Sequence, residues 1–176
     1  MTLQFLVLLA ALAALACAAG ASAQEKVSFA TNWKAQAGHG GFYQALVDGT
    51  YTKYGLSVEI QQGGPQVNGR QLLAAGKIDF LMAGKLPHPV ERVKNDVPIV
   101  VVASLYAATI EARVSTARTR PETVRKFVAA SMLGWETYLY GNNLAANEVI
   151  KKANPDMTDE ELAASVALMK KLRGGQ

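Results

Sequence analysis

The chain reads as an α/β protein: a mostly parallel sheet flanked by helices, followed by a helical C-terminal segment. Three observations predict this. Strand-like and helix-like stretches alternate from Lys26 to Ala103 at the spacing of βαβ units. The run Ile99-Val100-Val101-Val102 suits a strand buried on both faces. From Pro121 onward, apolar residues recur at helical rather than alternating intervals.

Each element has its own signal. Val27, Phe29 and Thr31 alternate with Ser28 and Ala30, which predicts a strand over Lys26 to Asn32. Gly40-Gly41 opens an amphipathic helix through Tyr54, with Phe42, Leu46, Thr50 and Tyr54 on one face and Gly55 as its left-handed stop. Leu56 to Ile60 is a second strand, and Gly63-Gly64-Pro65 a turn. A short helix over Val67 to Ala75 is closed by Gly76, and Ile78 to Ala83 is a third strand. A helix is expected from Pro87 to Asn95, then a strand from Ile99. The stretch from Ile99 to Val114 is too long for one strand and must be two, although Leu105-Tyr106-Ala107-Ala108 holds no turn-forming residue. Pro121 suits a first helical position, and Val124, Phe127, Val128, Ser131, Trp135 and Leu139 carry one stripe to Tyr140. Leu144 to Ala153 is the next helix. Thr158-Asp159-Glu160-Glu161 is a capping box for a last helix, with Leu162, Val166 and Met169 inward.

Composition narrows the function classes. Of 176 residues, 50% are hydrophobic and 18% charged, with a net charge of +4. The cations are dispersed, without the clustered footprint that nucleic acid requires. The first 24 residues carry no charge, and the apolar run from Leu3 to Ala19 ends in Ala21-Ser22-Ala23. That pattern predicts a signal peptide over residues 1–23, cleaved before Gln24, and a periplasmic destination. Met1 to Phe5 lacks the positive charge such a leader usually has, so a membrane anchor and a lipoprotein modified at Cys17 stand as alternatives. Cys17 is the one cysteine, so thiolate chemistry is not expected in the mature body.

Enzyme signatures are not found. There is no G-x-S-x-G and no H-E-x-x-H. Gly69 to Lys77 fails as a phosphate loop, because six residues separate Gly69 from Gly76 and Ile78 stands where Ser or Thr must hold magnesium. His39 and His88 have no acidic neighbours at ligand spacing, so neither a metal nor a cofactor is expected. Three loops remain, each at the carboxyl end of a predicted strand: Asn32-Trp33 through His39-Gly40-Gly41, then Gly63-Gly64-Pro65, then Gly84 with Lys85. Ligands of open α/β sheets bind at that edge. Glycines admit a ligand to the backbone, and Trp33 and Tyr43 have rings for stacking. The expected ligand-binding residues are therefore Asn32, Trp33, His39, Gly40, Tyr43, Gly63, Gly64, Pro65 and Gly84, although turns and core packing explain any one of them alone.

Val27 to Trp33, His39-Gly40-Gly41-Phe42-Tyr43-Gln44-Ala45, Tyr54-Gly55-Leu56, Gly63 to Asn68, Leu72 to Phe80 and Val97 to Ala103 stand in an order with a known parallel. They resemble the periplasmic substrate-binding proteins of ABC importers, of the nitrate/sulfonate/taurine and thiamine-pyrimidine-precursor class. Pro121 to Tyr140 and Asn154 to Asp159 resemble that family's C-terminal helices. The resemblance implies a type II periplasmic-binding-protein-like lobe, a small-molecule ligand, and an ABC permease with its ATPase as partners. It also implies a second lobe, for which residues 24–106 and 107–176 leave no room. The first span reads as lobe one. The second reads as a return strand, Ala108 to Arg113, with C-terminal helices packing on the same lobe. Weak binding is the expectation unless a homodimer or another protein supplies the missing wall. Two other readings stay open: a truncated remnant or interaction protein with little binding, and an enzyme like the thiamine-pyrimidine synthases, whose cysteine-rich iron segment has no counterpart here.

Overall fold

Val27 and Phe29 turn to one face of the first strand and Ser28 and Ala30 to the other, and both faces find cover. The computed structural model describes residues 23–84, 98–105 and 108–174. Strand β1 (Glu25–Ala30) leads through a 3-10 turn at Ala37–His39 into α1 (Gly40–Val47) and α2 (Thr50–Lys53). Then follow β2 (Leu56–Gln61), α3 (Gly69–Ala74), β3 (Phe80–Ala83), β4 (Ile99–Leu105) and β5 (Ala108–Arg113). Four helices complete the chain: α4 (Val114–Thr119), α5 (Pro121–Tyr140), α6 (Leu144–Ala153) and α7 (Asp159–Gly174).

The sheet order is β2-β1-β3-β5-β4. β1 pairs in parallel with β2 (Glu25 opposite Leu56) and with β3 (Phe29 opposite Phe80). β5 runs antiparallel to both β3 and β4, so four of the five strands share one direction. This is the expected α/β lobe, a five-stranded sheet flanked by helices, with two of its pairings parallel and two antiparallel. Two residues join β4 to β5, whose pairing runs from Ile99 opposite Arg113 to Leu105 opposite Ala108, with an irregularity between Val101 and Ala103.

Aromatic packing holds α1 and α5 to one face. Phe29 lies 4.5 Å from Phe42 and 5.3 Å from Phe127 between ring centres, and Phe80 stacks on Phe127 at 4.3 Å. Tyr51 stacks on Phe127 from α2, and its hydroxyl meets Ser131 Oγ at 2.9 Å. The other face is smaller. Ala30, Leu73, Ile78 and Leu81 pack there, with Leu72 and Ile99 at the margin.

Several expectations need correction. The helix drawn from Gly40 to Tyr54 is two helices. Gly49 takes φ +72°, and Asp48 Oδ1 accepts from the backbone N of Thr50 at 2.9 Å in an Asx turn ahead of the second piece. Leu46, assigned inward, is 37% exposed at the end of the first piece. β4 is an edge strand rather than a doubly buried one, and Ile99 to Ala103 are only half-buried. On α5 the buried stripe passes through Thr123, Phe127, Ala130, Ser131, Gly134 and Tyr138, leaving Val124 and Val128 at its margin. The left-handed stops at Gly55 and Gly76, Pro121 as first residue of α5, and the Thr158–Glu161 capping box are as expected. The leader with Cys17, the helix from Pro87 to Asn95 with His88, Lys85, and the joint at Tyr106-Ala107 lie outside the described residues.

Candidate functional site

Where β1 and β3 end, the chain leaves the sheet on neighbouring strands, and the gap between the two exits is a concavity of about 480 Å³. Thr31 and Asn32 form one wall, Leu81 to Gly84 the floor, and Pro65 to Arg70 the opposite wall. Thr31 ties the loops together. Its hydroxyl donates to the Trp33 carbonyl at 2.7 Å and accepts from Gly63 N at 3.3 Å. Gly63 must be glycine for that contact, because a Cβ there would stand 2.3 Å from the Thr31 carbonyl oxygen. Asn68 caps α3 by accepting from Gln71 N at 3.1 Å, which fixes the far wall.

Asn32, Pro65 and Gly84, three of the residues singled out in the sequence, line this pocket together. His39 stands behind Asn32 and is fully buried. Burial pushes its pKa down to about 4, so the ring is neutral at ordinary pH. Its Nε2–H donates to Asn32 Oδ1 at 2.9 Å, and its Nδ1 has no partner. With Oδ1 engaged, the Asn32 amide nitrogen faces Gly84, 3.5 Å from where a Cβ on that glycine would stand. The pocket wall therefore presents a donor, held in one orientation by an imidazole behind it.

The other expected residues are distributed differently. Trp33 is 44% exposed beside the mouth and does not line the pocket. Gly64 has open space around its Cα. Gly40 packs against the Tyr138 ring, where a Cβ would meet ring atoms at 2.1 Å, and is a helix-packing glycine. Tyr43 is 3% exposed within the main apolar core, its hydroxyl unpartnered and its pKa raised by burial. Neither Gly40 nor Tyr43 reaches the pocket.

Sequence reading missed the pocket's charged residue. Arg70, on α3, donates from Nε to Glu111 Oε2 at 3.3 Å, and Glu111 is 1% exposed on β5. The signal was there: a carboxylate inside the apolar strand Ala108 to Ala112 needs a cation brought to it. Arg70 keeps 45% of its side chain open, so the pocket offers guanidinium and amide donors above the strand end Leu81 to Ala83. Such a lining suits a small ligand rich in acceptor atoms. Among the described residues, no three His, Cys, Asp or Glu side chains gather as a metal site would require. Among them also, no helix is long and apolar enough to cross a membrane.

A family model described as NMT1/THI5 like matches residues 36–119. That span runs from the residue before the 3-10 turn through α4, and contains His39, Gly63 to Pro65, Arg70, Gly84 and Glu111 but not Asn32. The match supports the likeness to substrate-binding proteins and is compatible with a solute-binding role. No curated protein matches the chain at a significant level.

Proposed function

We propose that the chain is the solute-binding component of an ABC importer, exported to the periplasm by a cleaved leader and without catalytic activity of its own. Its ligand is a small organic or anionic molecule of the thiamine-pyrimidine-precursor, sulfonate or nitrate type. The observation that carries this reading is the pocket at the carboxyl ends of β1 and β3, which the Asn32 amide and the Arg70 guanidinium line with donors. The family match over residues 36–119 supports it.

Binding is weak in this reading. The two residues between β4 and β5 leave no room for a facing lobe at that joint, so one wall does the work of two. A micromolar site is worth about −8.2 kcal/mol, and half of that energy corresponds to a millimolar site. A second copy of the chain, or a partner protein, would restore the missing wall.

The test is an NMR titration of the labelled mature chain with a pyrimidine, a sulfonate and nitrate. Millimolar ligand of one class is expected to shift the amides of residues 31–32, 65–70 and 81–84. Shifts confined to other regions, or none with any class, would remove the proposed site.

A further inference from the structure

The opposite pole of the sheet carries a second concavity, of about 570 Å³, that shares no residue with the first. Lys53, Tyr54 and Gly55 form one side, just before β2, and the first turns of α5 form the other. Arg125 and Lys126 stand there with Ala129, and Glu122 is the single acid among the described residues of the lining. Glu122 is spent on Arg125, three residues on along the helix. The nearby carboxylates Glu25 and Asp79 are spent on Arg120, at 2.8 and 2.7 Å. Among the described residues, Lys53 and Lys126 thus have no carboxylate within ion-pairing distance. Glu122 is held below its ordinary range, first by the hydrogen bond from Arg125 and further by the charges of Arg125 and Lys126. Nothing stands within 4 Å above Gly55, so the space between the two sides is open.

Of the cations elsewhere, Arg70 pairs with Glu111, Lys34 with Asp156, and Lys151 with Glu148 and Asp159. Lys126 reaches Glu122 and Glu25 only through longer-range charge, so two ammonium groups without an ion pair line one concavity, where an anion lowers the energy of both. The Tyr54 ring and Ala129 add an apolar wall. We infer that this pocket is a second binding site, for a phosphate monoester or a comparable dianion, with its acid group between Lys53 and Lys126 and its organic body against Tyr54. A soluble phosphomonoester and the headgroup of phosphatidic acid share that chemistry.

Two arms of one experiment separate the sources, using the labelled mature chain and a Lys53→Gln/Lys126→Gln variant whose changes are both on exposed side chains. In the first, phenyl phosphate is titrated at physiological salt. In the second, the protein is sedimented with vesicles of phosphatidylcholine alone or mixed with phosphatidic acid. A soluble ligand shifts the amides of residues 53–55 and 122–129, and the double variant binds at least about tenfold more weakly, a loss of about 1.4 kcal/mol. A headgroup site gives cosedimentation with the anionic vesicles only, lost in the variant. Absence of binding in both arms, binding that the variant retains, or shifts spread evenly over all exposed lysines would each overturn the inference. None of these outcomes bears on the first pocket, because the two linings are disjoint.

Discussion

At the scale of single residues, the candidate site depends on groups that never touch a ligand. His39 sets the Asn32 amide from behind, and its burial gives it a measurable titration. The folded-state pKa of about 4 lies below the ordinary 6.5, so between those values the unfolded chain holds a proton that the native protein does not. Stability is therefore expected to fall as pH drops from about 6.5 toward 4 and to level off below, with a contribution of at most ~3 kcal/mol from this residue. Urea unfolding across that range should show the slope in the wild type and a much flatter one in His39→Gln. Equal slopes would mean that His39 is not neutral in the folded state. Glu25 acts in the same sense at lower pH. The Thr123 hydroxyl, donating at 2.6 Å, and then Arg120 hold its carboxyl below the ordinary range. Its stabilising effect is complete above the unfolded carboxylate pKa and is lost as pH falls through the depressed folded value. Arg120 also donates to Asp79 and to the Lys26 carbonyl. Replacing it by Ala is expected to cost about 1–2 kcal/mol after allowance for solvent screening, read as a lower midpoint in urea. An unchanged midpoint would show that the pairs contribute nothing net.

At the scale of elements, the tightest constraint is the crossing of α1 and α5. A Cβ on Gly134 would stand 2.1 Å from the Gly41 carbonyl oxygen, and one on Gly41 would meet the Trp135 ring at 2.2 Å. Gly134→Ala must push the helices apart. A loss of about 3 kcal/mol is expected, measurable as a lower thermal midpoint, whereas an unchanged midpoint would mean that the crossing is loose. This crossing also marks what the sequence made legible. The stripe through Phe127, Ser131, Trp135 and Leu139 was readable as helix period, but Gly134 looks like a helix weakness until a second helix is laid against it. Likewise Gly40-Gly41 reads equally well as a ligand loop or as a contact surface, and only the Tyr138 and Trp135 rings decide between them. The break at Asp48-Gly49 had a local signal, an Asx turn before Thr50, that the continuing apolar pattern concealed.

At the scale of the whole molecule, strand order and site position follow from one fact: β1 and β3 are parallel neighbours whose loops diverge at their carboxyl ends. Of the nine residues expected at that edge, Asn32, Pro65 and Gly84 line the pocket, and Gly40 and Tyr43 pack in the core instead. Arg70 and Glu111 were not foreseen, because the antiparallel insertion of β5 between β3 and β4 brings them together, and the pairing of Leu81 with Glu111 is a long-range register that no local pattern encodes. At a ligand concentration ten times the dissociation constant, binding is expected to stabilise the fold by about 1.4 kcal/mol. The most direct measurement is calorimetric titration of the purified mature chain, shown to be monomeric by light scattering, with a pyrimidine, a sulfonate and nitrate, alongside Asn32→Ala. The expected result is one ligand class bound near millimolar affinity and bound at least several-fold more weakly by the variant. Sub-micromolar binding by the monomer would contradict the one-walled pocket, and binding indifferent to Asn32 would contradict its location.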